Sequence, residues 1–134
     1  LGIAQAALDA SIDYALQRKQ FGKPIAGHQL IQGMLAEMVT ELEAARYLVY
    51  RALWLLSGGT RCEREAAVAK SFATEAAQRI TSKAIQIHGA FGITREFPVE
   101  RHFRNARLLT IPDGTTQLNQ LIIGRKLTGI AAFS

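Results

Sequence analysis

Asp113 lies between Pro112 and Gly114 in a short turn that opens directly onto a predicted helix. A carboxylate on a loop stiffened by Pro and Gly can project into a cleft and take a proton, although the same tripeptide also suits an Asp that closes a turn. The three histidines, His28, His88 and His102, have no second His, Cys or carboxylate at ligand spacing, so no zinc or iron site is expected. No Gly-x-Ser-x-Gly, phosphate-loop or dinucleotide fingerprint occurs. Gly89-Ala90-Phe91-Gly92 lacks the preceding strand that would make its glycines a nucleotide turn, and taken alone it marks the end of a helix. Arg95, Arg101, Arg104 and Arg107 cluster, with only Phe97 and Phe103 as aromatics among them. That pattern fits a solvated or phosphate-facing helix surface better than a nucleic-acid groove.

The elements that must position these residues are helical. Residues 2 to 18 predict a first helix with Ile3, Ala7, Ala10, Tyr14 and Leu16 inward, ended by Phe21-Gly22-Lys23-Pro24. A second, from about 26 to 57, carries Ile31, Leu35, Met38, Leu42, Ala45, Val49, Ala52 and Leu56 at alternating steps of four and three, a coiled-coil-like seam stopped at Ser57-Gly58-Gly59-Thr60. A third, about 62 to 88, repeats the spacing with Ala66, Ala69, Ala73, Ala76, Ile80, Ala84 and Ile87. Pro98 opens a short helix to about Leu108, and Thr115 can cap a last one to about Leu127. No segment alternates cleanly enough for a strand. The fold expected is all-α, an antiparallel four-helix bundle with an additional short helix, and residues 1 to 134 form one domain.

The chain has 134 residues, 49% hydrophobic and 20% charged, with 16 Lys and Arg against 11 Asp and Glu, a formal net charge of +5. That length suffices to bury roughly two thirds of the unfolded surface without disulfide or metal staples. Cys62 stands alone, which excludes an intrachain disulfide and fits an intracellular setting. No apolar run approaches the roughly 20 residues of a membrane span. The opening Leu1-Gly2-Ile3-Ala4 has neither initiator Met nor leader and already reads as helix, so the chain is expected to be part of a longer protein.

Three stretches occur in order: Tyr14-Ala15-Leu16-Gln17-Arg18-Lys19-Gln20-Phe21-Gly22-Lys23-Pro24-Ile25 with His28-Gln29, then Gln86-Ile87-His88-Gly89-Ala90-Phe91-Gly92, then Pro98-Val99-Glu100-Arg101 leading to Asp113-Gly114-Thr115. Together they resemble the carboxy-terminal helical domain of the acyl-CoA dehydrogenase family, over essentially the whole chain. The resemblance implies a three-domain flavoenzyme that oxidises an acyl-CoA thioester to its α,β-enoyl-CoA, with electrons passing to an electron-transfer flavoprotein. It implies a homodimer or homotetramer, located in the bacterial cytoplasm or the mitochondrial matrix. The isolated domain would be inactive and without tight FAD.

Carried over residue by residue, Arg18, Lys19 and Gln20 match a segment that reaches the FAD of a neighbouring subunit, and Phe21 a phenylalanine packed close to it. His28 and Gln29 resemble a His-Gln pair beside the adenine. Gln86, Gly89 and Ala90 match a loop against the diphosphate, with Ala90 replacing a more usual second glycine, a change tolerated unless that backbone needs a positive φ. Thr115 and Gln117 match further FAD contacts, and Gly114 and Arg125 match positions near the substrate.

Asp113 matches the catalytic base, but the commoner family motif has Glu there, one methylene longer. Three explanations remain open. The pocket is reshaped around a cyclic or branched acyl group, the base lies on the helix upstream of Leu1, or the chemistry has changed. The family's nitroalkane oxidase has Asp at this position with an Arg seven residues on, where this chain has Gln120. A DNA-binding or scaffold member is the non-catalytic alternative, with +5 its main support.

Overall fold

The computed structural model describes residues 1–132. Five helices account for most of it: α1 (Gly2–Gln17), α2 (Gln29–Ser57), α3 (Glu63–His88), α4 (Val99–Leu109) and α5 (Thr116–Thr128). Short 3-10 turns at Ile25–Gly27 and Gly89–Ile93 precede α2 and follow α3.

The helix ends follow local chemistry. Glu63 and Glu65 occupy the first turn of α3 and Glu100 that of α4, where carboxylates oppose the positive end of the helix dipole. Gly89 ends α3 at φ 61° and ψ −135°, a conformation essentially reserved for glycine. The Thr115 hydroxyl accepts from the Leu118 amide at 3.2 Å, which is the cap expected from its position. Arg125 and Lys126 close α5 before Gly129 turns left-handed.

α3 is the hub and packs against each of the other four helices. α2 runs antiparallel to it, as shown by Arg79 on Glu41 at 2.8 Å and Arg51 near Glu65 at 4.0 Å. α5 also runs antiparallel, with Thr116 on Glu75 at 2.7 Å and Lys126 on Glu63 at 2.6 Å. α1 lies parallel to the second half of α3, bringing Tyr14 onto His88, and α4 packs on both. The chain is all-α as expected. The other four helices, however, share α3 as a common post, with α1 along one half of it and α5 along the other.

The core is built largely of alanine, including Ala4, Ala7, Ala15, Ala45, Ala76, Ala77, Ala84 and Ala106, with Met38, Leu42 and Ile80 as its large plugs. Three positions expected inside are outside. Leu16 is 59% exposed, because it lies one residue, or about 100° of helix, beyond buried Ala15. Leu56 is 62% exposed. A strict seven-residue seam drifts about 20° per heptad on a straight helix, so a seam centred on Met38 and Leu42 has turned away by the end of α2. Ala66 is also exposed, with Ala67 taking the buried place.

The absence of strands also needs correction. Lys19–Gln20 and Lys23–Pro24 form a two-residue antiparallel ladder, turning through Phe21 at φ 53° and Gly22 at φ 79°. Two successive positive φ values make the tight hairpin turn whose twist suits the flanking strands. Two residues per strand leave no alternation to read. Among the described residues, no helix is long and apolar enough to cross a membrane.

Candidate active site

The hairpin after α1 gathers one set of the singled-out residues. Arg18 leaves α1 extended, and its carbonyl accepts from the Ile25 amide at 2.8 Å, which folds the turn back on itself. Lys19 and Gln20 follow on the first strand. His28 Nε2 donates to the Gln20 carbonyl at 3.3 Å, and its ring meets that of Phe21 edge-on at 6.0 Å. Gln20, Phe21, His28 and Gln29 line one open groove of about 740 Å³, with Leu30 and Ile31 as its apolar wall. Phe21 is 92% exposed while held at positive φ, so the fold spends strain to present an aromatic ring to the outside.

Gln86, Gly89 and Ala90 occupy the end of α3 and the 3-10 turn after it, all exposed. Ala90 does not have positive φ, so its methyl is accommodated without strain. Gly89 has nothing within 4 Å of where a Cβ would stand, and Gly92 is the reverse, since a Cβ there would lie 2.5 Å from the Ile85 carbonyl oxygen. The turn thus lies backbone against backbone on α3, with an open face beside Gly89. Behind it His88 is buried, donates Nδ1–H to the Ala84 carbonyl at 2.8 Å and stacks on Tyr14 at 4.3 Å. Burial lowers its pKa.

The second set lies on the turn between α4 and α5. Asp113 is exposed at φ 54°, followed by Gly114 at φ 92°. Asp is one of the few side chains that enters this left-handed region at small cost, which longer side chains share less readily. Its carboxylate makes no hydrogen bond or ion pair to another described residue. The surrounding backbone is fastened. Lys70 of α3 donates to the carbonyls of Pro112 and, at 3.2 Å, Gly114, while Asn119 Nδ2 donates to those of Gly114 and Thr115, both at 2.9 Å. Sequence reasoning missed Lys70 and Asn119, and the only trace of Lys70 was a lone cation on an alanine-rich helix face.

The two sets stand apart. Lys70, beneath the Asp113 turn, and Gln86 are separated by sixteen residues of α3, about 24 Å along its axis. Thr115 and Gln117 stay with Asp113 at the start of α5, whereas Arg125 lies about 14 Å further along that helix, 4.0 Å from Glu63. Glu63 itself is pulled down to a pKa of about 2 by hydrogen bonds from Lys126 and Arg61.

The arginine cluster is partly engaged: Arg104 pairs with Glu100 at 2.9 Å, and Arg107 donates to the Thr110 hydroxyl at 2.7 Å. Phe97 turns inward, with its ring 5.2 Å from both Tyr14 and His88, so it is a packing residue and not a stacking platform. Among the described residues, no three His, Cys, Asp or Glu side chains converge as metal ligands.

Residues 1–128 match the family model of the acyl-CoA dehydrogenase C-terminal domain. The chain is 48% identical over 129 residues to an acyl-CoA dehydrogenase of Bacillus subtilis, covering 96% of this chain and 34% of that protein. It is 47% identical over 127 residues to the caffeyl-CoA reductase-Etf complex subunit CarC of Acetobacterium woodii (95% and 34% covered), and 43% over 132 residues to the cyclohexane-1-carbonyl-CoA dehydrogenase of Geobacter metallireducens (98% and 35%). Among solved structures, butyryl-CoA dehydrogenase from Megasphaera elsdenii superposes with a TM-score of 0.93 at 42% identity, covering 94% of this chain and 33% of that one. An FAD complex of PigA superposes at 0.88 and 33% identity, covering 94% and 33%. These matches define the C-terminal helical domain of one family. The chain belongs to the acyl-CoA dehydrogenase family, and it spans about one third of the length of these relatives.

Proposed function

We propose that this chain forms the carboxy-terminal helical domain of an FAD-dependent acyl-CoA dehydrogenase, with Asp113 as the base that removes the α proton of the thioester. The observation that carries this reading is the Asp113 turn: an exposed carboxylate with no partner among the described residues, on a backbone tied to α3 and α5. An α proton is weakly acidic, so its removal requires a base fixed beside the carbon and a site closed to water. Asp113 supplies the first of these. FAD, when bound, supplies the acceptor for the β hydrogen, taken as hydride.

The exposed hairpin fits that cofactor. Arg18 and Lys19 offer cations to a pyrophosphate, Phe21 offers a ring face, and His28 and Gln29 line the adjoining groove. Gly89 leaves backbone open to close approach. With the two residue sets about 24 Å apart along α3, the hairpin, Gln86, Gly89 and Ala90 serve the FAD of a neighbouring copy, while Thr115 and Gln117 serve the copy's own. The active form is therefore a homodimer or homotetramer, and Gly114 and Arg125 contribute to the acyl-CoA side. The Etf-complex relative supports an electron-transfer flavoprotein as the partner.

Of the three explanations for a shortened base, the reshaped pocket gains support. One relative is named for a substrate whose α carbon belongs to a ring and carries a single hydrogen, so a bulkier α carbon faces a carboxylate set further back. The test is Asp113→Asn in the full-length protein. Product formation should be abolished while flavin stays bound, and near-normal turnover would place the base elsewhere. Residues 1 to 134 alone should show neither activity nor tight FAD.

A further inference from the structure

Among the described residues, the hydrogen bonds that tie the carbonyls flanking Asp113 directly to α3 come from one side chain. The carbonyls of Pro112 and Gly114 bracket Asp113, and Lys70 donates to both, from a half-buried position in the first half of α3. The other ties are of a different kind. Asn119 and the Thr115 hydroxyl act from α5, the segment that continues the turn itself, and the Thr116 amide closes the turn onto the Thr110 carbonyl at 3.2 Å. They give the turn its shape but do not fix where it stands on the bundle. Thr116 on Glu75 anchors the start of α5, beyond the left-handed pair.

Asp and Gly each enter the positive-φ region at small cost, so the conformation of the Asp113-Gly114 backbone does not itself fix where the turn stands, and something outside it must hold the turn in place. A cation that engages the carbonyl on either side of Asp113 does this, since charge-assisted hydrogen bonds are the stronger kind. Its flexible stem also lets one ammonium satisfy two acceptors that no single backbone donor could reach.

We infer that Lys70 is the positioning residue of the base: by gripping the Pro112 and Gly114 carbonyls it sets where the Asp113 carboxylate stands relative to the substrate's α carbon. This rests on Asp113 being that base. Lys70 touches neither substrate nor cofactor in this account, so its loss should leave binding intact and misplace the carboxylate, and misplacement of about 1 Å can cost on the order of 100-fold in rate.

The test uses the full-length, flavin-loaded protein and an acyl-CoA that it oxidises, with Lys70→Met, Lys70→Arg and Asp113→Asn compared. Lys70→Met should lower kcat by about 10- to 100-fold with KM within about twofold, with flavin content unchanged and faster amide exchange across residues 112 to 116. Lys70→Arg, which keeps the charge and the donors, should recover most of kcat. A Lys70→Met protein with parental kcat while Asp113→Asn is inactive overturns the inference and leaves the base standing. Parental exchange rates across the turn, or no recovery in Lys70→Arg, overturn it as well. An active Asp113→Asn protein removes the base, and with it the role assigned to Lys70.

Discussion

His88 gives the fold a pH dependence that can be worked out from its surroundings. The ring is 2% exposed, stacked on Tyr14, with Phe97 edge-on, and its Nδ1–H is donated to the Ala84 carbonyl. Nε2 is buried and has no partner among the described residues. A second proton would have to sit on Nε2 with nothing to accept from it, and burial accordingly lowers the folded pKa below the ordinary 6.5. The unfolded chain therefore takes up a proton below about pH 6.5 that the folded chain refuses, and stability falls as pH drops. The limiting slope is about 1.4 kcal/mol per pH unit. For a site that excludes the proton completely, the loss between about pH 7.5 and about pH 5.5 is at most about 1.4 kcal/mol. For 134 residues that is about 5 °C in Tm. Burial and Arg101 lower His102 in the same sense, so the parent alone cannot assign the effect. His88→Phe keeps the stacked ring and removes both nitrogens. Urea unfolding should find it within about 1 kcal/mol of the parent near pH 8, because a modest hydrogen bond is lost along with an unpaired buried acceptor. Near pH 5.5 it should be the more stable of the two. Identical pH dependence in parent and variant would refute the account of Nε2.

Gly92→Ala should cost about 1–3 kcal/mol, since its Cβ would stand 2.5 Å from the Ile85 carbonyl oxygen and 2.9 Å from the Ile85 Cα, both backbone atoms of α3. Parental stability in urea would show that the 3-10 turn lifts freely. Phe21→Ala should leave stability within about 0.5 kcal/mol, because the ring is almost wholly exposed. In the full-length protein the same change should weaken flavin retention about tenfold, the loss of roughly 1.4 kcal/mol of ring contact. Unchanged flavin release rates would detach Phe21 from the cofactor.

Much of the architecture was legible because its signals are local. Each helix was placed to within three residues, since Gly and Pro mark its ends and the periodicity its span. The seam of α2 was readable at Met38, Leu42, Ala45 and Ala52, where the helix faces α3, and misleading at Leu56, where the strict repeat has rotated off the contact. Asp113 drew attention through its Pro and Gly neighbours, but its left-handed backbone did not. Gly89 and Gly92 looked alike in the motif, yet one needs its φ and the other its missing Cβ. Lys70 was out of reach because its partners are backbone carbonyls more than forty residues away, and nothing in a lone lysine announces a pair of distant acceptors.

The residues that carry no chemistry set the distances that the chemistry needs. Buried Ala67, Ala69, Ala76, Ala77 and Ala84 let other helices approach α3 closely, so one rod positions both the Asp113 turn and the Gly89 turn. The spacing between them is then a property of helix rise, fixed by sixteen residues and not by any loop. Inserting one residue between Lys70 and Gln86 would rotate one set about 100° against the other for only about 1.5 Å of lengthening. Lys70 would no longer lie beneath the Asp113 turn while the Gly89 turn kept its place beside α1. Under the proposed assignment, a site divided between two ends of one helix in this way makes length and phase in α3 as restrictive as the identity of the base itself.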